Sequence, residues 1–97
     1  MPQPDLQQKL TSSFKDLVTA IADQNLAEID ILVTVGGKRP EFDDLMLRLK
    51  KMQGILTEKA VELIKLYRAN GGENEQQVTD ECKSIIEETI QRFVKQI

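Results

Sequence analysis

Apolar residues recur at helical spacing along most of the chain, and Gly and Pro divide the recurrence into three regions. Leu6, Leu10, Phe14, Leu17 and Ile21 follow one another at intervals of three and four. At about 100° per residue they share one stripe, with Lys9, Lys15, Asp16 and Thr19 away from it. This predicts an amphipathic helix from about Pro4-Asp5. Gly36-Gly37 and then Pro40 end the first region and open the second. Gly71-Gly72 separates the second from the third, in the usual order of glycine after a helix and proline before one.

The first region carries a second signal inside it. Asp23-Gln24-Asn25 interrupts the stripe, and Asn25 with Glu28 three residues on has the form of a capping box. The stretch Ile29–Val35 is dense in β-branched residues and is ambiguous between helix and strand. Nothing else in the chain alternates with period two, so a strand would need an edge from another chain. As a helix, Leu26, Ile29, Leu32 and Val33 share a face, and that reading is favoured.

From about Pro40 to Asn70 the pattern is strongest. Phe42, Leu45, Leu49, Met52, Leu56, Leu63 and Tyr67 form a tight stripe, with Met46, Ala60 and Ile64 along its edge. Glu41, Asp43 and Asp44 suit the positive end of a helix dipole, Lys65 and Arg68 the negative end, and Gly71 the left-handed cap. Asp44 with Arg48 is an i,i+4 pair of favourable order. In the last region Val78, Cys82, Ile85, Ile86, Ile90, Phe93 and Ile97 line one face. Asn74 with Gln77 is a possible cap there, and Glu88 with Arg92 a second i,i+4 pair. The expectation is an all-α single domain over residues 1–97: an antiparallel three-helix bundle, or a four-helix one if the first region breaks near Asn25.

Composition narrows the chemistry. The 97 residues contain no histidine and one cysteine. The commonest general base and zinc ligand are therefore missing, and no internal disulfide or cysteine metal cluster can form. Cys82 lies mid-stripe beside Asp80 and Glu81, where burial and acidic neighbours both disfavour the thiolate. Ser12, Ser13 and Ser84 have no base to activate them. The carboxylate pairs Asp43-Asp44, Asp80-Glu81 and Glu87-Glu88 point about 100° apart on a helix and do not converge on a cation. No catalytic residue, cofactor or metal is expected, and the chain is read as a non-enzyme.

A net charge of −3 argues against long-range attraction to nucleic acid or anionic lipid. Met1-Pro2-Gln3-Pro4-Asp5 lacks the basic start and apolar run of a secretion signal, and no apolar stretch approaches membrane-spanning length. A soluble, cytoplasmic protein with a reduced thiol is expected. Lys38, Arg39, Arg48, Lys50 and Lys51 could grip phosphate, but acids are mixed among them and no aromatic is interleaved for base stacking. A nucleic-acid-binding accessory protein is thus the alternative to the main expectation.

That main expectation rests on a surplus. Leu47, Ile55, Val61 and Leu66 lie off the main stripe of the second region on a helical wheel. Ile55 and Leu66 fall on one flank, Val61 on the other and Leu47 on the back. More apolar surface is present than one stripe can hide, and small helical domains often complete such surfaces by association. These four residues predict an interface with a protein partner or with a second copy. The chain would act as an adaptor, assembly subunit, small chaperone or inhibitor.

Overall fold

The computed structural model describes residues 4–97, with side chains placed from Leu6 onward, and is all-α. Pro2 lies outside the described residues. The helices are α1 (Pro4–Gly36), α2 (Phe42–Ala69) and α3 (Glu75–Gln96), and each touches the other two. Their Cα atoms make a rod 57 × 19 × 19 Å in extent.

Helix α1 runs through the predicted interruption without a break, so the four-helix alternative does not occur. The two residues that resemble a capping box are engaged otherwise. The Asn25 side-chain amide donates back to the Ile21 carbonyl at 2.9 Å, which keeps that residue within the helical ladder. Both Asn25 and Glu28 accept from Arg48 on α2. The β-branched segment Ile29–Val35 is helical, not a strand. The helix propensity lost there is a few tenths of a kcal/mol per residue, and of these seven residues only Ile29 is buried to offset it.

Two contacts fix the order along the rod. Arg48 reaches Asn25 and Glu28, whereas Leu63 and Leu66 lie beside Leu10, Phe14 and Leu17, so α1 numbers fall as α2 numbers rise. Gln7 donates to Glu81 at 3.1 Å, and Thr19, Ala22 and Leu26 border Thr89, Phe93 and Gln96, so α1 and α3 numbers rise together. The most enclosed side chains are Val18, Met52, Leu56, Val78, Cys82 and Phe93. Leu45, Leu49, Ala60, Leu63 and Tyr67 extend this core along α2.

Several placements differ from the sequence pattern. Leu17 is 42% exposed while its neighbour Val18 is sealed, because α1 turns its stripe toward two helices at once. Phe42 is 74% exposed, since it sits in the first turn of α2 where no third helix reaches. Met46 on the edge of that stripe is exposed too, as are Leu32 and Val33 near the end of α1. Thr89 is buried, its hydroxyl returning to the Ile85 carbonyl at 2.8 Å. A Cβ at Gly54 would meet nothing within 4 Å, so that glycine serves no close approach.

The turn between α2 and α3 is set by Tyr67. Gly71 takes the left-handed conformation at φ 76°, and the Gly72 amide donates to the Tyr67 carbonyl at 2.9 Å. A Cβ at Gly72 would fall 2.5 Å from the Tyr67 ring, whose hydroxyl donates to the Glu73 carbonyl. Asn74 precedes α3 with φ 61°, and its side chain donates to Gln77 Oε1 instead of capping backbone amides.

Candidate functional site

Two adjacent depressions lie on the outer side of the α1–α2 seam, and together they form a groove that no α3 residue borders. Toward the α1–α2 turn it is lined by Ile21, Asn25, Glu28 and Leu32 from α1 and by Leu47, Arg48, Lys51 and Ile55 from α2. Toward the other end Leu10 and Leu17 face Lys59, Glu62 and Leu66. The groove exists because α1 and α2 bury their central stripes against each other and α3, which leaves the adjacent flank of each helix to solvent.

The four residues singled out by the sequence are all on the surface: Leu47 is 54%, Ile55 44%, Val61 45% and Leu66 51% exposed. Leu47 and Ile55 line the part of the groove toward the α1–α2 turn, and Leu66 the part toward the other end. Val61 does not line it. It lies about 120° around α2 from Ile55, on the other flank. The α1 wall was missed by reasoning on α2 alone. Leu17 and Leu32, both exposed, supply it together with half-buried Leu10 and Ile21. The available signal was the width of the α1 pattern, where Leu17-Val18 offers two adjacent apolar residues of which only one points inward, and Leu32-Val33 offers two more that both stay exposed.

A polar bridge crosses the groove. Arg48 donates to Glu28 at 2.5 Å and to Asn25 Oδ1 at 3.2 Å. The predicted Asp44–Arg48 pair does not form, because the reach across to Glu28 is shorter and shares the guanidinium with Asn25. Nor is the Glu88–Arg92 pair among the ion pairs of the described residues. Further along, Lys59 and Glu62 make a loose contact at 3.6 Å. Lys51 has no ion-pair partner among the described residues.

The remaining candidates fall elsewhere. Cys82 is 1% exposed. Burial, and then the charge of Glu81, push its thiol up to about 11, so the thiolate is scarce near neutrality. Among the described residues no three His, Cys, Asp or Glu side chains are grouped to hold a metal ion. Ser12 and Ser84 border a shallow polar groove between α1 and α3. Of the basic residues, Arg48 is committed to Glu28, while Lys38, Arg39, Lys50 and Lys51 are exposed. No helix among the described residues is long and apolar enough to cross a membrane.

Compared with protein-family models, with curated proteins and with solved structures, the chain has no significant match.

Proposed function

We propose that the chain is an antiparallel three-helix bundle that works without catalysis, as a helical interaction module. The groove between α1 and α2 takes the apolar face of another helix, from a protein partner or from a second copy. One observation supports this above the others. Leu47, Ile55 and Leu66, set apart by sequence as surplus to the α2 stripe, share one groove with Leu17 and Leu32 from α1. Exposed apolar residues that converge from two elements make a patch of the kind that marks interfaces, whereas single exposed leucines carry no such meaning. An amphipathic helix in that groove would bury anchors at i, i+3 or i+4 and i+7 spacing. The nucleic-acid reading gains no comparable support, because Glu28 neutralises one of its five basic residues.

The test is a photoreactive side chain at Ile55, with one at Gln76 on a polar surface as control. Irradiation of native extract supplemented with the protein should give a polypeptide adduct from Ile55 and none from Gln76. The double change Leu47→Glu with Leu66→Glu should lower that adduct at least about tenfold, since each buried leucine contributes more than 1.4 kcal/mol. Circular dichroism should keep most of its helical signal. Equal labelling from both positions, or none from either, would reject the proposal.

A further inference from the structure

We propose that the occupant of this groove is a second copy of the chain, with the two α2 helices packed in opposite directions about a two-fold axis level with Leu56 and Thr57. The inference rests on reading the groove as a docking surface, and adds what docks and in which register.

Charge carries the argument. Lys51 and Glu62 are equidistant from the mid-point between Leu56 and Thr57. They are separated by three helical turns, so at about 100° per residue they return to the same face within about 20°. A two-fold axis at that mid-point therefore sets Lys51 of each copy opposite Glu62 of the other, twice per dimer. Neither charge is well used within one copy. Lys51 has no ion pair among the described residues, and Glu62 holds only the 3.6 Å contact with Lys59. The one level at which bases coincide is Arg48 with Lys65, where Glu28 already neutralises the guanidinium.

The apolar residues obey the same symmetry. Leu47 and Leu66 are also equidistant from the mid-point; being about 100° apart around α2, they border the contact on its two sides at the same level. Ile55 lies beside the axis and meets its own copy. On α1, Leu17 and Ile21 reach the groove near that level and extend the contact. An isologous contact needs one self-complementary patch, and this groove supplies it.

Sedimentation equilibrium of the purified full chain tests the register. The wild type should be dimeric at high micromolar concentration. Lys51→Glu and Glu62→Lys, each turning two attractions into two repulsions, should each raise the dissociation constant about tenfold. Lys51→Glu combined with Glu62→Lys should return it to within about threefold of wild type, with circular dichroism reporting the fold throughout. A second measurement is independent of these variants. In a Cys82→Ala background, Ile55→Cys should cross-link between copies with a short bismaleimide, and Val61→Cys should not. A monomeric wild type, single reversals without effect, a double reversal that fails to restore, or equal cross-linking at both positions would each overturn the proposal. If the purified chain is monomeric while the Ile55 photoprobe captures a different polypeptide, the groove is a docking site for another protein and only the second-copy inference falls.

Discussion

The tip of the α1–α2 hairpin and the three-helix body are built from the same residue types, yet one is open and the other sealed. Among the described residues, seven of the twelve exposed large apolar side chains, those from Ile31 to Leu47, belong to the tip. In the body Val18, Leu56 and Val78 are fully enclosed. The difference is the third helix. With 22 residues against 33 in α1 and 28 in α2, α3 ends beside Leu26. Beyond that level α1 has only α2 for a neighbour, and every residue from Asp30 to Arg39 is exposed. An apolar stripe is therefore worth its transfer free energy only where a second neighbour arrives to close it.

Two phenylalanines give the largest measurable contrast. Phe93→Ala should lower unfolding free energy by about 3–5 kcal/mol, through lost burial and the cavity left behind. Phe42→Ala, at the tip, should stay within about 0.5 kcal/mol. Urea titration of the two variants checks this, and similar losses would show that tip and body are equally packed. Cys82 probes the seal of the body by pH. Its folded value of about 11 lies above the ordinary 9.0, so the unfolded thiol ionises first. The neutral thiol's stabilisation is complete below pH 9 and is lost as pH rises toward 11, about 2–3 kcal/mol in all. The difference in unfolding free energy between wild type and Cys82→Ala should shrink by that amount across this window. A pH-independent difference would mean that solvent reaches the thiol.

A more modest effect belongs to the bridge at the boundary between the two regions. Arg48→Met should cost about 0.5–1 kcal/mol, because the guanidinium is partly exposed and Glu28 can turn to water. Molar salt should weaken wild type more than this variant. Equal salt responses would show that the bridge to Glu28 adds nothing to the hold of α1 on α2.

Much of the architecture was legible in the residues themselves. Gly71 and Gly72, the acids Asp43 and Asp44, and the stripe from Leu45 to Tyr67 fixed where α2 runs and which face it buries. Leu47, Ile55 and Leu66 were legible as surplus, because their positions on the helix exclude them from that stripe. Asn25 and Glu28 were not legible. Their spacing matches a capping box, and only Arg48, twenty residues further on, gives the two side chains another use. The α1 wall of the groove was hidden for a related reason. Leu17 and Val18 are equally apolar, and the choice between them depends on where two other helices lie.

Periodicity follows from the geometry of a single helix, so sequence alone set the existence, the approximate ends and the apolar faces of all three. Coverage depends on neighbours distant in sequence and on where each of them stops. Only the tertiary structure could leave Phe42 in solvent and seal Phe93, join Leu47, Ile55 and Leu66 to Leu17 and Leu32 in one groove, and send Val61 to the opposite flank, because burial is a property of the space between helices and not of any one of them.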